Sequence, residues 1–245
     1  STGIEETVAL ALHSPTKGPA LIHELRRYRT MPGRLPALLA RFNDHALRIW
    51  DRHGIRQAGF WTTLAGPSAN DLLYMVEWQS MAEREDLWER FMSDPEWSRI
   101  RVTSQVDGPI NHNVANSFLA PTAFSAPGAP ANNKGTSMIY ELRIYRTLPR
   151  RLPNLLARFQ NHTLRIWERH GIRQAGFWTT LVGESNNDLT YLLAWESLAE
   201  REQKWAKFAA DPEWLKVRAE SEADGPINAN VANYFLSPTA FSSVK

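Results

Sequence analysis

The chain repeats itself. Shifted by 117 positions, Leu21 to Ser125 lies on Met138 to Ser242 without a gap, and about 70 of the 105 superimposed pairs are identical. All ten tryptophans fall into five register pairs, from Trp50 with Trp167 to Trp97 with Trp214. A period this long is a whole domain and not the unit of a solenoid, so whatever the first copy folds into, the second must fold into as well. The expected organisation is an extension at 1–20, a first domain at 21–125, a linker at 126–137 and a second domain at 138–245. Ala126 to Ser137 reads APGAPANNKGTS, too rich in Pro, Gly and Asn to form a core. A linker of this length reaches at most roughly 40 Å, which holds the copies within contact distance.

Within a copy, periodicity gives the element order. Tyr140, Leu142 and Ile144 alternate with Glu141, Arg143 and Tyr145, the period of a strand. In the first copy Glu24, Arg26 and Tyr28 hold the same places. Apolar residues three and four apart from Leu35 to His53, opened near Pro32 and closed at Gly54, predict a helix. Ile55 to Leu64 and Asp71 to Trp78 flank a Gly-Pro-Ser-Ala-Asn turn and predict a hairpin. Ser80 and Glu83 form a capping box, and Asp94-Pro95 opens a further short helix. A last strand covers Asn113 to Leu119. The order β-α-β-β-α-α-β is the ferredoxin-like, split βαβ sandwich of the α+β class, with helices on one sheet face. The third strand is apolar on both faces, so the uncovered face is expected to be buried as well. Two such sheets packing face to face make an intrachain α/β barrel with room for a ligand.

Composition removes several classes of function. The 245 residues carry 28 Lys+Arg against 26 Asp+Glu, interspersed, so no single-sign field attracts nucleic acid. The absence of cysteine excludes disulfides, thiolate metal sites and thiol nucleophiles. No apolar run approaches the ~18 residues of a membrane span, and the first residues lack the basic start and apolar core of a signal peptide. The expectation is a cytoplasmic protein, with processing of the amino end left open by the initial serine. No nucleotide-binding glycine loop, nucleophile elbow or zinc-protease motif occurs.

The runs Tyr140-Glu141-Leu142-Arg143-Ile144-Tyr145, Arg165-Ile166-Trp167, Gly176-Phe177-Trp178, Trp195-Glu196-Ser197 with Arg201, and Asp211-Pro212-Glu213-Trp214 resemble the NIPSNAP family, within the dimeric α/β-barrel superfamily. The resemblance covers both copies. It implies the barrel fold. Superfamily relatives include cofactor-free monooxygenases, haem-binding proteins, dehydratases and isomerases, so it does not select a reaction.

Candidate chemistry follows from the alternation. The alternation of the first strand puts Glu24, Arg26, Tyr28 and Glu141, Arg143, Tyr145 on the face that helices do not cover, where they are expected to line the barrel interior. There Arg can clamp an anion, Tyr can donate to a carbonyl or oxyanion, and Glu can orient the Arg. The competing reading is a satisfied ion-pair network that fixes how the copies dock. Trp61 and Trp178 are pocket candidates, as are the mid-strand Asn116 and Asn233. Where the copies differ, the interior is asymmetric: Glu77 faces Ala194, His112 faces Ala229, Ser117 faces Tyr234, Arg27 faces Ile144 and His23 faces Tyr140. The expected catalytic residues are Tyr28, Tyr145 and Glu77. Glu24, Arg26, Glu141, Arg143, Trp61, Trp178, Asn116, Asn233 and Tyr234 are expected to hold a small aromatic, anionic or carbonyl-bearing ligand, transformed, if at all, without a bound cofactor. No metal site is expected. The alternatives are a non-catalytic scaffold protein that forms homo-oligomers, and haem binding through His45, His53, His162 or His170.

Overall fold

The computed structural model describes residues 21–126 and 138–244. The expected extension over 1–20 and the linker from 127 onward lie outside the described residues. In the first copy β1 (Ile22–Thr30) leads into α1 (Leu35–Arg41), a π-helical turn (Phe42–Ala46) and α2 (Leu47–His53). The hairpin β2 (Arg56–Ala65) and β3 (Asp71–Trp78) follows, then α3 (Met81–Ser93), α4 (Pro95–Thr103) and β4 (Asn111–Pro121). The second copy repeats this as β5 (Ile139–Thr147), α5 (Leu152–Arg158), a π-helical turn (Phe159–Thr163), α6 (Leu164–Arg169), β6 (Arg173–Val182), β7 (Asp188–Trp195), α7 (Leu198–Ala209), α8 (Pro212–Ser221) and β8 (Asn228–Pro238).

Local chemistry sets these boundaries. The Ser80 side chain accepts from the Glu83 amide while the Glu83 carboxylate accepts from the Gln79 amide, closing the capping box. Asp94 accepts from the amides of Glu96 and Trp97 with Pro95 in the first turn, which stops α3 and starts α4 within one residue. Gly54, at φ +77°, ends α2.

The strands close into one barrel in the order β1-β3-β2-β8-β5-β7-β6-β4. Pairing of β2 with β8 and of β4 with β6 joins the copies. All neighbours are antiparallel, so strands four places apart run the same way. Each strand is thus related to its copy by a half-turn about the barrel axis.

Two layers of core result. Inside the barrel, Leu73, Met75, Leu119, Leu142, Leu192 and Leu236 meet Trp61 and Trp178 in an apolar plug. Outside it, each copy's helices cover their own aromatic cluster, Phe42, Trp50, Phe60 and Tyr74 in the first and Phe159, Trp167, Phe177 and Tyr191 in the second. The segments after β4 and β8 cross between copies. Thr239 N–H donates to the Phe60 carbonyl, Ser242 Oγ accepts from the Phe60 amide, and the Phe241 ring meets Phe60 at 5.3 Å. Thr122, Ser125 and Phe124 make the same contacts with Phe177. Among the described residues no helix is long and apolar enough to cross a membrane.

One expectation is corrected. Glu24, Arg26 and Tyr28 pair with Val76, Tyr74 and Leu72, whose side chains belong to the helix-covered core. The charged face of β1, and that of β5, therefore looks toward the helices. The barrel interior receives the other face: His23, Leu25 and Arg27 from β1, and Tyr140, Leu142 and Ile144 from β5. The physical reason is that α3 and α7 bring cations and indoles to meet the buried carboxylates, while the interior needs apolar volume to fill the plug.

Candidate functional site

Glu24 is fully buried and its carboxylate is saturated. It accepts from Arg26 Nη1 at 2.5 Å, Asn116 Nδ2 at 2.9 Å, Trp78 Nε1 at 3.1 Å and Arg84 Nε at 3.2 Å. Arg26 donates onward to Tyr74 at 2.8 Å and Tyr28 at 3.2 Å, and stacks over Trp88 at 4.5 Å. Glu141, Arg143, Asn233, Trp195, Arg201, Tyr191, Tyr145 and Trp205 reproduce the arrangement. The sequence brings Glu24, Arg26, Tyr28 and Asn116 together, as expected, but between sheet and helices. The network ties each copy's helices to its own sheet and does not dock one copy on the other. His112, expected among the asymmetric interior groups, is exposed instead.

The interior splits at the plug into two mouths. The narrow mouth holds a cavity of about 180 Å³ lined by residues including His23, Glu77, Tyr140, Trp61, Trp178 and Val244. Here the two copies differ in their ionisable groups. His23 and Glu77 are cross-strand neighbours with Nε2 and Oε1 3.5 Å apart, while the equivalent places across the axis hold Tyr140 and Ala194. His23 Nδ1 is buried without a hydrogen-bond partner. The hydrogen bond from His23 is the main reason the Glu77 carboxyl sits below its ordinary range, against the upward push of burial. The ring of His23 meets Trp178 edge-on at 5.5 Å, and Trp61 meets Tyr140 at 5.7 Å. Burial pushes the Tyr140 phenol up to about 12, so it stays protonated at neutral pH.

The wide mouth, at the Thr30 end of β1, encloses about 540 Å³ lined by residues including Leu25, Arg27, Ile144, Arg146, Thr190 and Tyr234. Arg146 is paired with Asp188 and Glu184. Arg27 has no ion-pair partner among the described residues and lies over the Tyr234 ring at 5.2 Å. Glu77, Trp61, Trp178 and Tyr234 thus face the interior, a choice of face that the alternation leaves open for the first three. His23 and Arg27, which the sequence marks only as positions where the copies differ, are the charged or titratable groups that β1 sends into the interior. A partial signal for His23 was present, since positions 23 and 77 both change between copies; their opposition comes from the long-range pairing of β1 with β3.

The helix histidines point elsewhere. His53 Nε2 lies 2.8 Å from Asp94 and His170 Nε2 2.7 Å from Asp211, each inside the cluster that caps α4 or α8, and neither lines a barrel mouth. His162 is exposed and His45 half-buried. The four do not share one cavity: His53 and His170 are held by carboxylates, and His162 opens on a separate cavity between α5 and α8.

The fold is that of two tandem ferredoxin-like units on one polypeptide whose strands close a single eight-stranded α+β barrel, with two cavities opening into it. The NIPSNAP family model matches residues 23–126 and again 140–243, and the chain belongs to that family. A NIPSNAP domain protein from Burkholderia xenovorans is 26% identical over 45% of this chain and 99% of its own, with a TM-score of 0.38. A candidate monooxygenase from Fusobacterium nucleatum covers 92% of this chain and 95% of its own at 7% identity and TM-score 0.59. An anthrone oxidase-like protein covers 92% and 93% at 12% identity and TM-score 0.54. These last two share the whole barrel. No curated protein matches the chain.

Proposed function

We propose that the protein binds a single-ring aromatic molecule carrying an acidic hydroxyl at the narrow mouth, and moves that proton to His23. The observation that carries the reading is the pairing of a buried His23 with a partly exposed Glu77 in an indole-lined cavity, present in one copy only. A volume of about 180 Å³ suits one aromatic ring, since an apolar cavity of roughly 150 Å³ holds benzene. Trp61 and Trp178 supply the flat walls. Glu77, ionised, orients the imidazole through Nε2, leaves Nδ1 as the proton acceptor and stabilises the imidazolium that forms. The barrels described as a candidate monooxygenase and as anthrone oxidase-like are compatible with small-molecule chemistry in this fold, and the reading here extends only to binding and proton transfer.

The test uses 4-nitrophenol, whose absorption reports its own ionisation. Binding should quench tryptophan fluorescence and shift the bound probe toward the phenolate spectrum below its solution pKa. His23→Ala should retain the quench and lose the shift, and Glu77→Gln should weaken the shift. Quenching without a spectral shift in the native protein, or a shift that survives His23→Ala, would overturn the proposal.

A further inference from the structure

A third cavity, of about 290 Å³, lies away from both mouths, between the first copy's sheet and its helices, with Arg41, Arg101, Gln105, Trp88 and Trp97 in its wall. Arg41 is 7% exposed, yet it makes no hydrogen bond or ion pair with any described residue; its Nε, like that of Arg158 in the second copy, is sealed without an acceptor. Its guanidinium lies over the Trp97 ring, 5.7 Å away. An unpaired buried charge is costly, and burial pushes this guanidinium below its ordinary range.

The second copy shows what is missing. There the equivalent Arg158 donates to Glu222 Oε1 and to Ser221 Oγ, each at 3.2 Å. The other oxygen of Glu222 lies 3.7 Å from Arg218 Nε. One carboxylate therefore sits between two arginines. The first copy keeps both arginines, as Arg41 and Arg101, and the serine, as Ser104, but has Gln105 where Glu222 stands. The Gln105 amide donates to the Arg101 carbonyl at 2.8 Å and leaves the arginines without an acid. Arg101, exposed, has no ion pair among the described residues either.

We propose that the first copy binds a small carboxylic acid here, its carboxylate seated between Arg41 and Arg101 as the side chain of Glu222 is seated between Arg158 and Arg218, and its apolar body lying on Trp88 and Trp97. The second copy carries its own acid in that place and is closed to such a ligand. The two copies then divide the labour: one helix layer carries its own carboxylate, and the other takes one from a ligand. This site stands on observations independent of the narrow mouth.

The experiment titrates the protein with benzoate, and with inorganic phosphate for comparison, following melting temperature and tryptophan fluorescence. Benzoate should raise the melting temperature saturably and quench the indoles. Arg41→Met should weaken benzoate by about tenfold or more, the loss expected for a charge-assisted hydrogen bond. Gln105→Glu, which rebuilds the acid of the second copy, should raise the melting temperature without ligand and abolish the response to benzoate. His23→Ala and Arg27→Ile should leave the benzoate affinity unchanged, which separates this site from both mouths. A benzoate response that persists in Gln105→Glu, or no benzoate response in the native protein, would overturn the proposal. Equal stabilisation by phosphate would overturn the choice of a carboxylate.

Discussion

Glu24 and Glu141 show how a buried charge is made tolerable. Each is removed from water, which alone would raise its pKa, and each is held below its ordinary value by the cations and N–H donors around it, Arg26, Arg84 and Asn116 for the first and Arg201 and Arg143 for the second. Removing the acceptor leaves a buried guanidinium unpaired, so Glu24→Gln should destabilise the fold by about 3–5 kcal/mol in urea denaturation, whereas replacing Glu24 and Arg26 together by Leu and Met should cost much less. The sign of the pH dependence follows from the same shifts. Asp94 is held far below its usual range, first by His53 and then by Arg52 and two helix amides, and Asp211 likewise, first by Arg169. Carboxyls depressed in the folded state contribute stability that is full above their unfolded values, about 4, and is lost as pH falls below them. The melting temperature should hold steady from neutrality down to about pH 5 and then drop. In Asp94→Asn/Asp211→Asn the drop should be shallower, and an unchanged slope would contradict the assignment.

At the scale of elements, capping, turns and register were legible because they depend on residues close in sequence. Ser80 with Glu83 and Asp94 with Pro95 state their own helix starts, and Ser80→Ala should lower stability by about 1 kcal/mol. The faces of β1 were half legible. A period of two separates Glu24, Arg26 and Tyr28 from His23, Leu25 and Arg27 without saying which set meets the helices. That choice is made by Arg84 and Trp88 of α3, sixty residues away in sequence from Glu24 and Arg26, and no local pattern announces them. Trp61 and Trp178 were unresolved for a related reason. Each ring lies against the glycine two residues before it, Gly59 at φ +139° and Gly176 at φ +138°, where an added Cβ would come within 2.3 Å of the indole. The bulges at these glycines shift the alternation of β2 and β6, so counting by twos fails there. Gly59→Ala should destabilise by about 1–3 kcal/mol, the range for overpacking a core, and should weaken 4-nitrophenol at the narrow mouth by displacing Trp61. Unaltered probe binding would show that the Trp61 ring does not wall the site.

At the scale of the whole molecule, the duplication announced the barrel, because a repeat so complete must bury equivalent surfaces, and β3 with apolar residues on both sides had nowhere else to face. The crossing of Thr239 to Ser242 onto Phe60, and of Thr122 to Ser125 onto Phe177, was not legible, since identical sequences do not say which copy each segment serves. It makes the association reciprocal. A protease site placed within 127–137 should, after cleavage, leave two fragments that co-elute at micromolar concentration and melt in one transition, with a melting temperature that now depends on concentration. Separation of the fragments would refute the interlocked arrangement. The crossing also sets a clock on biosynthesis. A first copy emerging from the ribosome lacks β8 beside β2 and lacks Phe241 on its aromatic cluster, and both arrive only when synthesis reaches Ser242. The first copy must therefore wait, incomplete, until the second copy is almost fully made, and a product stalled in the second copy offers the cell's proteases a half-built domain.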